Sequence, residues 1–189
     1  MTRSQILKLA ILCEGGAGVL ALGVAWFFGQ PFLGQLSLEP TLIVKGIVAA
    51  IPPLLGFLCL MRVNFAPFLR IREVLEREIR PLFSQSTMTD LCLISLLAGV
   101  GEELLFRGLV QGFLHEWVGP SLALFVASIL FGAAHLITRT YALLATLIGL
   151  YLGCLMVWCG SLMVPVWTHA FYDFVALTYL MRIKRAPSC

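Results

Sequence analysis

The sequence predicts an all-α protein: a polytopic membrane bundle of about six transmembrane helices with one amphipathic surface helix, forming a single membrane domain over residues 1–189. Its composition is 60% hydrophobic and only 12% charged, whereas a soluble domain carries about 25% charged residues. Apolar stretches of about 20 residues, the length that crosses a bilayer, recur along the chain. The basic residues fall mainly in alternate connections between these stretches. A chain of this kind can bury its apolar surface only in lipid.

Six stretches are long and apolar enough to be predicted as membrane spans. They are residues 7–28, 42–63, 90–113, 121–138, 141–159 and 162–181. Gln30 and Pro31 should end the first span. Pro52 and Pro53 should kink or break the second, because proline removes a backbone donor. Over residues 66–80 charged residues alternate with apolar ones at helical spacing. That pattern is typical of an amphipathic helix on the membrane surface, and a solvated connector helix is the alternative.

The distribution of basic residues predicts the orientation of the bundle. With the N-terminus inside, eleven of the thirteen Lys and Arg residues fall on the inner side, leaving only Lys45 and Arg107 elsewhere. The eleven are Arg3, Lys8, Arg62, Arg70, Arg72, Arg77, Arg80, Arg139, Arg182, Lys184 and Arg185. Because cytoplasmic loops carry the excess of basic residues, we expect an integral protein of the bacterial inner membrane with both termini in the cytoplasm.

Three charged residues lie inside the third span, within residues 99–107. One charge at the centre of a span costs roughly 2.5–3.5 kcal/mol on insertion scales, so each needs a partner or a use. Glu103 and Arg107 are four residues apart on one helix face and can form an ion pair. Glu102 points about 100° away from Glu103 and has no local partner. The sequence therefore predicts one neutralised carboxylate and one that is available for chemistry.

Two histidines and an aspartate supply further polar groups in later spans. His135 lies in the fourth span, and His169 and Asp173 lie four residues apart on one face of the sixth. The third and fourth spans form a hairpin about a turn at residues 119–120, which should bring Glu102 and His135 to similar depth. A lone buried histidine is more often structural than catalytic. A carboxylate with two imidazoles, one of them backed by an acid, favours a polar pocket in which chemistry takes place.

These residues carry a resemblance to a known family. Glu102-Glu103-x-x-x-Arg107, Phe131-x-x-x-His135 and His169-x-x-x-Asp173, in this order, resemble the three motifs of the CPBP family. That family comprises the CAAX proteases and bacteriocin-processing enzymes, also called abortive-infection proteins, and includes the Ras-converting CAAX endopeptidase. The resemblance covers residues 88–181, the expected catalytic core, whereas the N-terminal spans and linker over 1–87 match no motif. It implies an intramembrane endopeptidase with its active site among the helices.

The resemblance also implies a role for each residue. Glu102 and His135 would activate a water molecule, and His169 with Asp173 would stabilise the oxyanion. Glu103 and Arg107 would hold the frame of the site. Asp173 stands where the family accepts Asn or Asp, and an ionised Asp cannot donate a hydrogen bond. We therefore expect Asp173 to orient His169, which does the donating. The implied partners are membrane lipids and a peptide or protein substrate, which can itself be membrane-anchored, with no nucleic acid.

The resemblance leaves two mechanisms in competition. The family is often labelled as metalloproteases, and Glu102, His135 and His169 have the residue types of a catalytic zinc site. The sequence contains no His-Glu-x-x-His motif. The resemblance to members viewed as glutamate-type enzymes favours a reaction without a cofactor, with zinc as the alternative.

Other functions are also compatible with the residues. A proton-coupled transporter could use the Glu, His and Asp side chains as a relay, although the paired inverted repeats that would favour it are not visible. An inactive membrane scaffold is a third possibility. For a protease, the substrate is a prenylated CAAX protein, another peptide, or a target in bacteriocin immunity. Two further points stay open: which membrane face the pocket opens to, and whether Glu14 in the first span faces a polar cavity or the interface.

Overall fold

The computed structural model describes residues 1–29, 36–37 and 39–182, and this part of the chain forms helices and no strand. The helices are α1 (Arg3–Phe27), α2 (Pro40–Arg62), α3 (residues 66–83), α4 (residues 88–118), α5 (Pro120–Ala134), α6 (Arg139–Cys159) and α7 (Met163–Arg182). This architecture confirms the predicted all-α membrane bundle. The predicted end of the first span at Gln30 and Pro31 lies outside the described residues, as do Lys184 and Arg185 of the basic tail.

Each predicted span has a helix, but the helices differ in how well they suit a bilayer. Among the described residues, α1, α2 and α6 are long and apolar enough to cross a membrane. Helix α5 has 15 residues, which at 1.5 Å per residue is about 22 Å, less than a hydrocarbon core of about 30 Å. Helices α4 and α7 carry the ionisable residues of the site, which lowers their hydropathy. They pack along each other, with their charged faces turned inward.

Helix α2 is interrupted near its middle, as its proline pair predicts. The first part is Pro40–Ala49, Ala50 forms a turn, and the second part is Ile51–Arg62. Pro52 and Pro53 fall in the first turn of that second part, where a backbone N–H would have no intrahelical partner in any case.

The predicted amphipathic segment forms α3, which includes a π-helical turn at Leu75–Ile79. Arg72 ties it to the end of α2 by donating to the carbonyl oxygens of Met61 at 3.1 Å and Val63 at 2.8 Å. The apolar side of α3, which includes the buried Ile71, faces a cavity inside the bundle. The helix is therefore part of the wall of that cavity.

The beginnings of α1 and α4 are joined at one end of the bundle. Thr87 caps α4, and its side chain and that of Asp90 form a capping box. Arg3 donates two hydrogen bonds to the same Asp90 carboxylate, at 2.6 and 2.9 Å. Because Arg3 is the first residue of α1, this contact places the starts of both helices on the same side.

Small residues allow the central helices to approach closely. A Cβ atom added to Gly99 of α4 would lie 2.8 Å from the backbone nitrogen of Ala170 in α7. A Cβ atom on Gly101 would overlap the carbonyl oxygen of Glu14 in α1. Close packing at small residues is a common way in which membrane helices associate. These two crossings place α1 and α7 on either side of the motif at residues 102–107.

Candidate active site

A cavity of about 360 Å³ lies between the helices. Its wall is mostly apolar, but the polar side chains predicted from the sequence gather in it. The residues Glu14, Glu102, His135, His169 and Asp173 all line it, together with the hydroxyl-bearing Tyr141, Tyr151, Thr168 and Tyr172. A concave apolar pocket with a few converging polar groups is the usual form of a small-molecule or peptide site.

Behind the cavity wall, Glu103 and Arg107 form the predicted ion pair. Arg107 Nη1 donates to Glu103 Oε1 at 3.1 Å, and the two side chains are 1% and 0% exposed. Arg107 Nη2 also donates to the carbonyl oxygen of Gly149 in α6, at 3.0 Å. The guanidinium lies 4.3 Å from the ring centroid of Phe131 in α5, within the range of a cation–π contact. Arg107 thus joins α4, α5 and α6.

Glu103 has a second partner that the sequence did not predict. The same Oε1 atom lies 2.8 Å from Nδ1 of His169 in α7. A carboxylate paired with arginine accepts hydrogen bonds and does not donate them, so Nδ1 of His169 carries the proton. The sequence feature that relates to this contact is Gly99. It precedes Glu103 by one helical turn and lets α7 come close on that face.

Glu102 and His135 face each other across the cavity, as the predicted hairpin of α4 and α5 requires. His135 Nε2 lies 3.6 Å from Glu102 Oε2, too far for a direct hydrogen bond. His135 Nδ1 lies 2.8 Å from the carbonyl oxygen of Phe131 and donates to it, because a carbonyl only accepts. In the neutral ring Nε2 is then the lone-pair nitrogen, and it is directed at Glu102.

His169 and Asp173 are neighbours on α7, as their spacing predicts, with Nε2 and Oδ2 3.5 Å apart. His169 is therefore flanked by a carboxylate at each ring nitrogen, closely by Glu103 and more loosely by Asp173. We expected Asp173 to orient this ring, but the short contact belongs to Glu103. The reason is the close packing of α7 against α4, which residue spacing along one helix does not reveal.

The geometry bears on the alternative zinc site of Glu102, His135 and His169. Within the described ranges, no group of three or more His, Cys, Asp or Glu side chains is arranged to hold a metal ion. Zinc requires ligand atoms about 2.0–2.3 Å from one point. His169 lines the same cavity as Glu102 and His135, but the three side chains do not form such a group. In this arrangement the three side chains do not fit zinc.

Comparison with known proteins agrees with the motifs. Residues 84–175 match the family described as Type II CAAX prenyl endopeptidase Rce1-like. Over these residues the chain is similar to the CAAX protease family. All three motifs, from Glu102 to Asp173, lie inside the matched residues, which confirms the resemblance drawn from them. Together with the long apolar helices, this similarity indicates a membrane protein.

One curated relative of the chain is the uncharacterized protein YpbD of Bacillus subtilis (strain 168). The two are 30% identical over 99 residues, which cover 51% of this chain and 48% of that protein. The chain thus spans about half the length of the relative. No solved structure matches the chain significantly.

The structure also assigns a location to residues whose place the sequence left open or missed. Glu14 faces the cavity, from a π-helical turn at Ile11–Gly15 in α1; such turns are frequent at functional sites. Tyr141 and Tyr172 line the cavity but were not singled out, because aromatic residues are common in apolar spans. Their positions in the sequence could have indicated them, because Tyr172 directly precedes Asp173 and Tyr141 follows His135 across one short turn.

Proposed function

We propose that this chain is an intramembrane endopeptidase of the glutamate type, which hydrolyses a peptide bond of a membrane-associated peptide or protein. The observation that carries the proposal is the pairing of Glu102 with His135 across 3.6 Å in the cavity. Polar groups more than about 3.5 Å apart can interact through a bridging water molecule. Glu102 Oε2 has no hydrogen-bond partner within the part of the chain that the structure describes, so it is available to such a water.

In the proposed reaction the water molecule donates one O–H to Glu102 and the other to Nε2 of His135. Glu102 accepts a proton as the water oxygen forms a bond to the substrate carbonyl carbon, and the carbonyl electron pair moves to its oxygen. When this oxyanion collapses, the C=O bond re-forms and the C–N bond breaks. The leaving nitrogen takes the proton from Glu102. General base and acid catalysis by one positioned side chain contributes about 10²–10⁴-fold.

His169 and Asp173 serve the oxyanion by electrostatics in this proposal. The ring of His169 satisfies the Glu103 and Asp173 carboxylates together when both nitrogens are protonated. The resulting positive charge lies in the cavity wall, near the carbonyl oxygen that becomes negative. Fixed charges in a site that is shielded from bulk water stabilise such a transition state strongly. Glu103 and Arg107 hold this ring from behind and do not touch the substrate.

The proposed reaction uses no cofactor. Water activation by a carboxylate and an imidazole is sufficient for hydrolysis. Within the described ranges no group of side chains is arranged to hold a metal ion, which supports this mechanism over a zinc site. We therefore expect activity to survive strong chelation. Zinc that is present stoichiometrically in active protein, lost together with activity and restored by adding zinc, would establish the metal mechanism instead.

For the substrate we propose a membrane-anchored peptide of the CAAX type. The cavity continues from the polar side chains along an apolar wall that includes Phe57, Leu60 and Ile71, and this wall suits an apolar chain attached to the peptide. The similarity to CAAX prenyl endopeptidases supports the same choice. We further propose the bacterial inner membrane as the location, with both termini in the cytoplasm, because basic residues concentrate on that side.

The test is cleavage of a peptide library by the purified protein in liposomes, with farnesylated CAAX peptides and their unprenylated counterparts. Glu102→Ala should abolish cleavage. The matched control is Glu116→Ala, which changes an exposed glutamate on the same helix and should leave the rate unchanged. Cleavage of unprenylated peptides alone would exclude the CAAX substrate, and full activity of Glu102→Ala would exclude the mechanism.

A further inference from the structure

His169 can offer a substrate oxygen one ring N–H at most, because its Nδ1 is already engaged. Nδ1 donates to Glu103 at 2.8 Å, and Nε2 lies 3.5 Å from Asp173. If the ring is neutral, its single proton is on Nδ1 and Nε2 can only accept. If the ring is an imidazolium, its second N–H faces Asp173. An ionised Asp173 has no proton to donate either. A second donor to an oxyanion in this cavity must therefore come from another residue.

Tyr141 is positioned to supply that donor. It lies in the first turn of α6, where its backbone nitrogen donates to the Thr138 cap at 3.2 Å. Its side chain lines the cavity and is close enough to the Glu102 and Asp173 carboxylates for electrostatic interaction with both. Within the described part of the chain, the Tyr141 hydroxyl has no hydrogen-bond partner. A phenol O–H can donate while it stays protonated at neutral pH.

We propose that the Tyr141 hydroxyl donates a hydrogen bond to the substrate carbonyl oxygen as this becomes the oxyanion. The inference rests on the proposed hydrolysis by Glu102 and His135. Tyr141 keeps its proton throughout, because the water proton goes to Glu102. The carbonyl electron pair moves to the oxygen that faces Tyr141. It re-forms the C=O bond when the C–N bond breaks. His169 contributes positive charge, and Tyr141 contributes the directed donor that Asp173 cannot provide.

The same cavity contains a second phenol that serves as a comparison. The ring of Tyr172 packs edge-to-face against Phe57, with centroids 6.4 Å apart. Tyr172 interacts electrostatically with Asp173 and Tyr141, whereas the neighbours of Tyr141 include Glu102. The oxyanion is the oxygen of the carbonyl group whose carbon the Glu102-activated water attacks. The donor must therefore be near Glu102. This favours Tyr141 over Tyr172.

The experiment measures cleavage of a quenched fluorescent farnesylated peptide by three variants in liposomes. Tyr141→Phe should lower kcat by about 10²–10³, the usual effect of removing one oxyanion donor, and should change KM less than about threefold. Tyr172→Phe should have a clearly smaller effect on kcat. Tyr179→Phe is the control, because Tyr179 is on α7 but does not line the cavity, and it should behave like the wild type.

A second measurement separates a catalytic donor from a structural one. A peptide phosphonate, whose charged oxygen resembles the oxyanion, should bind Tyr141→Phe much more weakly than wild type, while the uncleaved peptide binds both equally. The melting temperature in detergent should not change, because the hydroxyl has no protein partner in the described structure. A kcat within threefold of wild type would overturn the assignment. So would a lowered melting temperature, an effect on KM alone, or an equal loss in Tyr172→Phe.

The variant Glu102→Gln distinguishes this inference from the proposed function beneath it. If Glu102→Gln is inactive and Tyr141→Phe is fully active, the hydrolytic mechanism stands and the Tyr141 donor fails. If Glu102→Gln is itself active, the proposed base is wrong, and the loss expected for Tyr141→Phe has no basis.

Discussion

Two adjacent glutamates on one helix have different roles because their side chains point in different directions. Glu103 is fully buried and accepts from both Arg107 and His169. Glu102 points about 100° away, into the cavity, and Nε2 of His135 lies 3.6 Å from its Oε2. The first is a structural anion that a cation must neutralise. The second lines the cavity, where water and substrate can reach it, which is what a base for water requires.

Substitution by glutamine should separate these two roles. Glu102→Gln keeps the shape of the side chain and removes the base, so it should abolish turnover with an unchanged melting temperature. Glu103→Gln leaves Arg107 as a buried charge without its anion, a loss of about 3–5 kcal/mol in stability, and activity falls with it. Thermal unfolding and peptide cleavage in one detergent measure both effects. Loss of activity in Glu103→Gln at unchanged stability would contradict this division.

Reversing the ion pair extends the same argument. In an isolated helix, Glu103→Arg combined with Arg107→Glu would keep the i,i+4 spacing and restore stability. Here the exchange puts a cation against the protonated Nδ1 of His169 and a carboxylate against the carbonyl oxygen of Gly149. Two new repulsive contacts replace two hydrogen bonds. We therefore expect the double variant to unfold no later than Glu103→Gln, and recovery to the wild-type melting temperature would contradict this.

At the scale of the helices, close crossings determine which side chains meet. Residue spacing was sufficient to predict that Glu102 and His135 approach, because α4 and α5 are joined by a short turn and run antiparallel. Spacing was also sufficient for Glu103 with Arg107, and for His169 with Asp173, which lie on single helices. The contact of Glu103 with His169 could not be predicted, because it depends on how deeply α7 packs against α4.

The π-helical turns are a second feature that helical periodicity does not predict. One occupies Ile11–Gly15 and another Leu104–Gln111, directly after Glu103. Each changes the angular phase of the residues that follow it, so a regular 3.6-residue pattern places their side chains wrongly. This is why the sequence left the side chain of Glu14 open between the interface and a polar cavity. In the structure it lines the cavity.

The crossing of α4 and α7 provides a prediction at this scale. A Cβ atom in Gly99→Ala would lie 2.8 Å from the backbone nitrogen of Ala170 and the carbonyl oxygen of Val166. The helices must separate, which lengthens the bond from His169 to Glu103, so both stability and cleavage should fall, stability by about 1–3 kcal/mol. Gly23→Ala is the control, since its Cβ would meet nothing within 4 Å. Equal melting temperatures for the two variants would contradict the proposed role of this crossing.

At the scale of the whole molecule, charged side chains of the site are buried inside the bundle and large apolar side chains lie on its surface. The deepest side chains include Glu103, Arg107 and His169. Large apolar side chains point outward and are among the most exposed, as in Trp26, which is 84% exposed, and Trp117, which is 74% exposed. In water such a surface would aggregate, whereas lipid solvates it. Composition alone was enough to predict this, because the choice between water and lipid depends on total apolar area and not on the positions of individual contacts.

The sidedness of the bundle follows from charge and from one long-range contact. The ion pair of Arg3 with Asp90 puts the start of α1 and the start of α4 at the same end. Helix α1 leads away from that end, and α2 begins at Pro40 and leads back towards α3. The segment before α4 should therefore share a side with the N-terminus. The segment before α2 should lie on the opposite side, in agreement with the concentration of basic residues.

Cysteine labelling tests this topology directly. The variants are Ser84→Cys, just before α4, and Glu39→Cys, just before α2, both at exposed positions. They are made in a chain without its native cysteines, because several of these are exposed thiols. In sealed vesicles a membrane-impermeant maleimide should label one site from outside and the other only after the vesicles are opened. A Thr2→Cys control should behave like Ser84→Cys, because Arg3 and Asp90 hold the two segments together. Labelling of Ser84→Cys and Glu39→Cys from the same side would mean that α1 and α2 do not both cross the membrane, and the six-span arrangement would fail.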